Sequence, residues 1–356
     1  MSGDYSKDVL TKCKGACVKI HQTHKGDCVL TCKEQNPSFE QTLNTYGAAK
    51  KPCFFMVSYD QTVWHIEPLA TPSGVVWYAL EGRGFAPPPP QKLTLPSQLT
   101  KKPIAFEAYE VMHARVQEEI RSGNTYLLNL TCKSVLETPL VLEHLFYASS
   151  APFRCLLKDQ FVCFSPERFV KIAQDEIHTF PMKGTIDASV QEASAQLLED
   201  EKEKAEHVMV VDLLRNDLSR VALGVHVKRF RYLEEIEAGG KRLLQASSHI
   251  CGALPKNWHE TLGTLLKTLL PAGSITGTPK KKTVEIIEEV EGYARGYFTG
   301  IFGVYDGHGV DSAVMIRFVE KEGTGYVYKS GGGITLLSDA HKEYQEMVDK
   351  IYVPLL

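Results

Sequence analysis

Residues 297–319 read YFTGIFGVYDGHGVDSAVMIRFV, and this stretch decides the fold class. Two runs rich in β-branched and aromatic residues, 297–305 and 310–319, flank Asp306-Gly307-His308-Gly309, which predicts an antiparallel hairpin. Elsewhere, blocks of short strand-like runs and blocks of helical periodicity follow one another without a regular βαβ repeat. This order predicts an α+β protein rather than a doubly wound parallel sheet.

The period of the apolar residues predicts the other elements. Further strands are predicted at 53–59, 74–80, 126–135, 161–164, 169–172 and 177–180. Helices are predicted at 106–120, 192–221 and 340–351, with one more that opens at Thr278-Pro279.

The composition excludes several classes of protein. The 356 residues include 40 Lys and Arg against 43 Asp and Glu, which gives a net charge of −3. This balance argues against a nucleic-acid binder, because such proteins need clustered positive charge. No run approaches the roughly 18 apolar residues that span a bilayer, so no membrane segment is expected, and the start lacks the apolar core of a signal peptide. With nine cysteines and no secretory signal, we expect a cytoplasmic protein with free thiols.

Composition also suggests three regions. Residues 1–45 are polar and rich in cysteine, and their structure is left open. Residues 46–104 contain short apolar runs and then the prolines Pro87–Pro90, which predict a strand-rich extension with a stiff connector. Residues 105–356 are predicted to form the main domain.

Four cysteines of the first region have a spacing that could hold zinc. Cys13, Cys17, Cys28 and Cys32 form the pattern Cys-x3-Cys-x10-Cys-x3-Cys, and four thiolates can ligate zinc. The gaps lie at the edge of the usual range, and no knuckle glycine follows either pair. We therefore favour a loose or helical extension with free thiols, with zinc as the alternative.

Two helical segments each place a pair of carboxylates on one face. Glu203 and Glu206 lie three residues apart, as do Glu343 and Glu346. Four carboxylates from two distant helices suit Mg²⁺, which prefers oxygen ligands. Solvated faces rich in Glu and Lys are the alternative interpretation.

Two further residues follow predicted strands. Lys183, beside a glycine, could be held partly desolvated so that its neutral amine attacks a substrate; a surface lysine in a turn is the alternative. Glu167 could act as a general acid if burial raises its pKa, or it could be only a turn residue. Arg317, near a strand end, could pair with a carboxylate.

Two glycine-rich stretches could approach a ligand. Residues 271–280 form a loop that opens a helix, but this loop lacks the ending of a phosphate-binding P-loop. Residues 330–334 allow close backbone approach, with a plain tight turn as the alternative.

These segments occur in an order that resembles the chorismate-utilising enzymes, the family of anthranilate, aminodeoxychorismate, isochorismate and salicylate synthases. The resemblance extends from about Phe106 to Leu356. It rests on 123–131 (GNTYLLNLT), 164–169 (FSPERF), 181–185 (PMKGT), 205–218 (AEHVMVVDLLRNDL), 273–280 (GSITGTPK), 297–300 (YFTG), 316–317 (IR), 331–334 (GGGI) and 343–346 (EYQE).

The resemblance implies a fold, a substrate and a cofactor. The fold is a large catalytic domain of antiparallel sheets packed as a sandwich with helices outside, and the substrate is chorismate. Glu206 and Glu346 match the ligands of Mg²⁺. Glu203 and Glu343 match the residues that support those ligands, and Glu167 matches the acid that protonates the departing 4-hydroxyl. The positions that match the substrate pocket are Thr185, Thr276, Tyr297, Arg317, Gly332, Gly333 and Lys350.

One residue indicates a branch of the family. Members that make anthranilate usually read Pro-Ile-Ala-Gly-Thr where this chain has Lys183 at the third position, as in the aminodeoxychorismate synthases. The resemblance therefore implies amination of chorismate at C4 through a covalent lysine intermediate. The product leads towards 4-aminobenzoate and folate. Ammonia is expected from a separate glutamine amidotransferase subunit in a heterodimer, because this chain shows no glutaminase elbow motif.

Two positions depart from the family. Gln245 stands where a histidine is frequent, and glutamine cannot shuttle a proton near pH 7, which disfavours release of pyruvate. Leu127 replaces the glutamine of ammonia-using members and the water-activating lysine of isochorismate and salicylate synthases.

Anthranilate synthesis is the second hypothesis for the function, and a non-catalytic binding partner with the same fold is another. His249 and Cys251 are expected to be packed core residues.

Overall fold

The computed structural model describes residues 21–22, 28–29, 37–96, 98–238 and 241–354. Within these residues the protein is α+β, with eight α-helices and two large antiparallel sheets, which confirms the predicted class. The helices are α1 (Phe39–Ala48), α2 (Phe106–Arg121), α3 (Leu142–Ala148), α4 (Ala193–Glu199), α5 (Glu201–Ser219), α6 (Leu262–Leu269), α7 (Lys280–Glu291) and α8 (Ala340–Asp349).

The strands form one small ladder and the two sheets. Strands β1 (His21–Gln22) and β2 (Cys28–Val29) pair with each other. Sheet 1 has the order β16 (Gly277–Thr278), β8 (Leu127–Leu136), β20 (Gly325–Ile334), β19 (Phe318–Glu322), β10 (Phe161–Ser165), β9 (Phe153–Leu157), β5 (Val76–Leu80) and β6 (Arg83–Phe85), with β7 (Lys101–Lys102) on β8. Sheet 2 has the order β13 (Met182–Asp187), β15 (Lys241–Ala253), β12 (Glu176–Thr179), β11 (Arg168–Ala173), β18 (Val310–Val314), β17 (Ile301–Tyr305), β3 (Cys53–Val57) and β4 (Trp64–Pro68), with β14 (Leu223–Ala238) on β15.

The predicted hairpin is present in sheet 2. Strands β17 and β18 pair antiparallel, with Ile301 opposite Val314 and Tyr305 opposite Val310. The predicted second strand is too long, however, because β18 ends at Val314 and Phe318 begins a strand of the other sheet. Both sheets bury this crossover, and apolar residues therefore continue through it. The sequence pattern alone does not show where the chain passes from one sheet to the other.

The two sheets pack face to face with helices outside, as the resemblance implies. Phe54 and Phe302 of sheet 2 share a buried cluster with Tyr78 and Phe161 of sheet 1. The rings of Phe54 and Tyr78 stack with centroids 4.4 Å apart. A second cluster joins sheet 2 to α1, α5 and α6, and a third joins sheet 1 to α2, α3, α7 and α8.

Two helix boundaries differ from the prediction. The predicted helix 192–221 is two helices, because Asp200 has extended backbone and caps α5 by accepting a hydrogen bond from the Glu203 amide. Helix α7 begins at Lys280, after Thr278 has paired with Leu127 in an extended conformation.

Strands from residues 46–104 belong to both sheets: β3 and β4 to sheet 2, and β5 and β6 to sheet 1. The segment Pro87–Pro90 that follows lies outside helices and strands. Of the four spaced cysteines, Cys13, Cys17 and Cys32 lie outside the described residues, whereas Cys28 falls in β2. None of the helices in the described ranges combines the length and apolar character that a membrane crossing requires.

Candidate active site

Glu167 and Arg317 lie in two neighbouring crossovers, the segments in which the chain passes from one sheet to the other. Glu167 lies between β10 of sheet 1 and β11 of sheet 2, and Arg317 lies between β18 of sheet 2 and β19 of sheet 1. The crossovers hydrogen-bond to each other, because the Val314 amide donates to the Glu167 carbonyl (3.1 Å) and the Phe164 amide donates to the Arg317 carbonyl (3.2 Å). The acid and the cation are thus held side by side by backbone contacts.

The Glu167 side chain has an environment suited to an acid. Burial raises the pKa of its carboxyl group above the ordinary value. A hydrogen bond from the Ser274 hydroxyl and the charges of Lys183 and Arg317 oppose this shift without cancelling it. The carboxyl group therefore keeps its proton more readily than a solvated glutamate and can donate it.

Lys183 lies within a strand rather than in a turn after one. It belongs to β13, where the pairing with β15 shifts register between Met182 and Thr185. Gly184 in this irregular segment has a φ of +82°, and a Cβ built on it would lie 3.3 Å from Glu203 Oε2. Such an irregularity redirects a side chain locally, and the glycine lets α5 approach the strand closely.

The Lys183 amine is surrounded by carboxylates. Its Nζ lies 3.1 Å from Glu206 Oε2. Burial lowers the pKa of Lys183, but Glu206, Glu346 and Glu203 together outweigh burial and raise the pKa above the ordinary value. The expected neutral amine is therefore not the state favoured by these residues alone, since the carboxylates hold Lys183 as an ammonium ion.

The four predicted glutamates lie around Lys183 and Lys350. Glu203 and Glu206 project from α5, and both influence Lys183, as does Glu346 of α8. A Cβ built on Gly332 would lie 3.6 Å from both Glu343 Oε2 and Glu346 Oε1. Glu206 and Glu343 are only 7% and 4% exposed, which argues against a solvated face. The donor set is entirely carboxylate oxygen, which fits Mg²⁺.

Gly332 and Gly333 of β20 lie between Lys183 and Lys350. Strand β19 pairs with residues 325–329 of β20, and in the described part of the chain residues 330–334 pair with β8 alone. A Cβ on Gly333 would lie 3.6 Å from Lys183 Nζ, and one on Gly332 would lie 3.6 Å from Lys350 Nζ. Side chains at these positions would enter the space between the lysines, so the glycines keep that space open.

Lys350 closes the other side of this space. Its Nζ lies 2.6 Å from Glu346 Oε1 and donates a hydrogen bond to the Gly331 carbonyl (2.9 Å). Burial lowers the pKa of Lys350; among the neighbouring charges, Glu346 raises it, while Arg317 and Lys183 lower it further. Three cations therefore share one region, which favours a ligand with more than one negative charge.

Two buried polar atoms point to a missing ligand. Tyr297 Oη and Arg317 Nε are buried and have no hydrogen-bond partner among the described residues. The Arg317 guanidinium lies over the Tyr352 ring at 5.3 Å, which leaves its hydrogen-bonding edge available. Because buried donors are normally satisfied, these atoms are candidates for contacts to a bound carboxylate.

The remaining predicted positions make local contacts. The Thr276 hydroxyl is buried and donates to the Ala272 carbonyl (2.8 Å) within its own loop. Thr185 is exposed and accepts a hydrogen bond from Gln245 Nε2 (3.3 Å). Leu127 is buried against Gly333, where a Cβ would come within 3.1 Å of it. Leu127 thus forms an apolar wall beside the lysines.

Two other grooves lie away from this cluster. One, of about 620 Å³, is bordered by Tyr126 and α5, and the other, of about 720 Å³, lies between β5 and the β17–β18 hairpin. None of the predicted site residues lines either groove. The candidate site is instead identified by its residue types, because its lysines and glutamates contact one another.

A family model described as chorismate binding enzyme matches residues 41–355 of this chain. The chain belongs to this family. An uncharacterized PabA-like protein of Pasteurella multocida is 46% identical over 319 residues, which cover 89% of this chain and 98% of the relative. Aminodeoxychorismate synthase component 1 of Escherichia coli is 34% identical over 288 residues, covering 76% of this chain and 61% of that protein.

Solved structures of the family agree with the fold. Anthranilate synthase component I from Streptococcus pneumoniae is 28% identical, with a TM-score of 0.62, and the match covers 73% of this chain and 60% of that one. The menaquinone-specific isochorismate synthase of Escherichia coli, at 16% identity, has a TM-score of 0.67 and covers 91% of this chain and 84% of that one. The latter similarity concerns the fold alone.

In this chorismate-binding enzyme Ser274 is a further residue of the site, and the sequence did not predict it. Its hydroxyl contacts Glu167, which lies 107 residues away in the chain. The residue lies in the glycine-rich loop that the sequence analysis singled out, but its hydroxyl has no local partner that a pattern could detect. The buried pair Glu291–Arg295 was also missed; Arg295 donates to the Ile275 carbonyl (2.9 Å) and so supports the same loop.

Proposed function

We propose that this chain aminates chorismate at C4 with ammonia and forms 4-amino-4-deoxychorismate through a covalent adduct on Lys183. The observation that carries this proposal is the place of Lys183, whose amine contacts Glu206 and acts electrostatically on Glu167. A nucleophile, an acid and a set of metal-binding carboxylates are therefore close to one another. The 34% identical aminodeoxychorismate synthase component 1 of Escherichia coli supports the same activity.

The first step joins the enzyme to the substrate. The Lys183 nitrogen forms a bond to C2 of chorismate, both ring double bonds shift towards C4, and the bond from C4 to its hydroxyl breaks. Glu167 gives its proton to the departing hydroxyl, which leaves as water. The raised pKa of Glu167 suits this role, because it keeps the carboxyl group protonated.

The lysine must lose a proton before it attacks. Burial by itself lowers the pKa of Lys183, and the surrounding carboxylates oppose this. Once their charge is balanced, burial becomes the main influence and favours the free amine. The four glutamates would hold Mg²⁺, which when bound would balance that charge and the ring carboxylate of the substrate.

The second step releases the product. Ammonia attacks C4, both ring double bonds shift back, and the bond between C2 and Lys183 breaks. The proton that the new C4 amine loses passes to the Lys183 nitrogen, so that the lysine amine is restored. The product keeps its enolpyruvyl group. Gln245 supports this outcome, because it cannot act as the base that removal of pyruvate requires.

Basic residues would orient the substrate. Arg317 and Lys350 provide cations for its two carboxylates, and the unpartnered Tyr297 hydroxyl can add a hydrogen bond. Ammonia would come from a separate glutamine amidotransferase subunit in a heterodimer, in the cytoplasm. The product would then be converted to 4-aminobenzoate for folate synthesis.

The decisive experiment identifies the compound formed from chorismate. The purified chain is incubated with chorismate, ammonium and Mg²⁺, and the products are separated by chromatography with mass detection. We expect 4-amino-4-deoxychorismate, which disappears when a chelator removes Mg²⁺. Immediate release of pyruvate with anthranilate would overturn the proposal in favour of the second hypothesis. Absence of turnover with intact chorismate binding would favour a non-catalytic partner.

A substitution of the nucleophile tests the covalent route. We expect Lys183→Ala to abolish the 4-amino product while chorismate still binds, because the variant keeps Arg317, Lys350 and the glutamates but has no amine at position 183. Lys204→Ala is the matched control, since Lys204 is an exposed lysine of the helix that carries Glu206. Without ammonia, mass spectrometry of the unmodified chain should detect an adduct of chorismate minus water on Lys183. Unchanged turnover in Lys183→Ala would contradict the covalent route.

A further inference from the structure

A second cluster of potential metal ligands lies on sheet 2, outside the proposed active site. Cys251 of β15 faces His178 of β12 on one side and His226 of β14 on the other, as direct cross-strand partners. His249 lies two residues before Cys251 and therefore on the same face of the strand. Ile250 lies on the opposite face, in the core that joins the sheet to helices.

Two distances within this cluster match those of a tetrahedral zinc site. One nitrogen each of His178 and His249 and the Cys251 sulfur all lie within 4.8 Å of one another. His178 Nδ1 and His249 Nε2 are 3.2 Å apart, and Cys251 Sγ and His226 Nε2 are 3.6 Å apart. Zinc bond lengths require separations of about 3.3–3.4 Å between two nitrogens and about 3.5–3.6 Å between nitrogen and sulfur.

A backbone hydrogen bond orients the His226 ring, and a carboxylate lies near the His178 ring, as is usual around metal-binding histidines. The Gly224 carbonyl lies 2.9 Å from His226 Nδ1. A carbonyl only accepts, so Nδ1 carries the proton and Nε2 presents its lone pair towards Cys251. Glu176 Oε2 lies 3.8 Å from His178 Nε2, on the side of the ring away from His249.

The charges of the cluster leave it able to take a cation. Burial lowers the pKa of both His178 and His249, so these rings are neutral near pH 7 and can ligate. Burial raises the pKa of Cys251, so a metal must displace the thiol proton. Lys171, Lys228 and Arg229 lie close enough to oppose a cation, whereas Glu176 favours one. The thiolate formed on binding adds a second negative charge.

We propose that His178, His249 and Cys251 bind a zinc ion, with His226 as the fourth ligand. Imidazole and thiolate ligands in tetrahedral arrangement favour zinc over magnesium. The site would join the three adjacent strands β12, β15 and β14. It is separate from the carboxylate cluster, because His207 of α5 contacts Ser248 on the opposite face of β15 (2.6 Å).

Zinc binding by the full chain tests this proposal. Metal-free protein is titrated with zinc against a chromophoric chelator, and bound zinc per chain is counted. We expect His249→Asn and Cys251→Ser each to bind one zinc ion fewer than the unmodified chain. His308→Ala is the control, since His308 is an exposed histidine of the β17–β18 loop. The comparison uses the difference in bound zinc between the unmodified chain and each variant. Zinc held by the four cysteines of the first region is the same in both and therefore cancels.

Three further measurements separate loss of zinc binding from loss of folding. Circular dichroism of the metal-free proteins should show that the variants are folded. Zinc should raise the melting temperature of the unmodified chain more than that of either variant. Cobalt(II) in place of zinc should give a thiolate charge-transfer band that Cys251→Ser removes. Equal zinc counts in folded variants and unmodified chain would overturn the proposal and leave the cluster as side-chain packing, with Phe180 stacked on His249.

Discussion

Burial acts in opposite directions on the two residues that we assign to the chemistry. It raises the pKa of Glu167 and thereby favours the protonated acid. It lowers the pKa of Lys183, but the glutamates around the lysine reverse the net shift. The same enclosed site can therefore supply a proton from one residue, while its lysine becomes nucleophilic only after the glutamates are balanced by positive charge.

Removing the single hydrogen bond from Ser274 tests whether Glu167 is the catalytic acid. The Ser274 hydroxyl lowers the pKa of Glu167 by stabilising the carboxylate. Ser274→Ala should raise this pKa further, since the carboxylate loses a hydrogen bond that stabilises its charge. Glu167 acts when protonated, so kcat/KM should fall at a higher pH than in the unmodified chain.

The measurement is the pH profile of kcat/KM for amination with ammonium, which reports groups of the free enzyme. Ser274→Thr is the matched control, because it retains a hydroxyl and should keep the original profile. A high-pH limb that does not move in Ser274→Ala would show that Glu167 is not the group that limits the rate there.

Helix α5 links the proposed metal-binding end of the site to the loop that carries Ser274. Glu206 and Asp217 lie three turns apart on one face of this helix. Asp217 Oδ2 accepts a hydrogen bond from Lys280 Nζ (2.8 Å), and a Cβ on Gly273 would lie 2.8 Å from the same oxygen. One helix thus positions a carboxylate and buttresses the neighbouring loop.

The Asp217–Lys280 pair should be costly to break. Burial raises the pKa of Asp217 and lowers that of Lys280, so each charge depends on the other. Asp217→Asn leaves the lysine charge uncompensated and should reduce the free energy of unfolding by about 3–5 kcal/mol. Asp212→Asn, in an exposed pair of the same helix, should change it by less than about 1 kcal/mol. Equal effects in urea unfolding would contradict this difference.

At the scale of the whole molecule, the strands from residues 46–104 complete both sheets. Strand β3 covers the edge of β17, and β5 covers the edge of β9. Phe54 and Phe55 of β3 are fully buried in two different cores. The sandwich therefore depends on residues that precede the proline-rich connector.

Removal of residues 1–104 tests this dependence. We expect residues 105–356 alone to be insoluble or to lack a cooperative unfolding transition, because two sheet edges and apolar core positions become exposed. Co-expression of 1–104 with 105–356 is the control and should recover a folded complex. A cooperative transition measured for 105–356 alone would instead support the predicted boundary at residue 104.

Local sequence patterns predicted the individual helices and strands better than they predicted how these elements assemble into sheets. The 301–314 hairpin was predicted correctly because its alternation and its turn are contained in the sequence itself. The end of β18 was missed because the change of sheet depends on which strand lies alongside. The break at Asp200 was missed because the charged residues on both sides favour helix equally.

The sequence by itself determined which chemical groups are present and in what order, and this was enough to recognise the family. Only the tertiary structure decided which groups meet. Glu167 meets Ser274 across 107 residues, and His178 meets His249 across 71. Helix and strand periods relate a residue to neighbours a few positions away, whereas the pairing of strands and the crossing of sheets relate residues far apart in the chain.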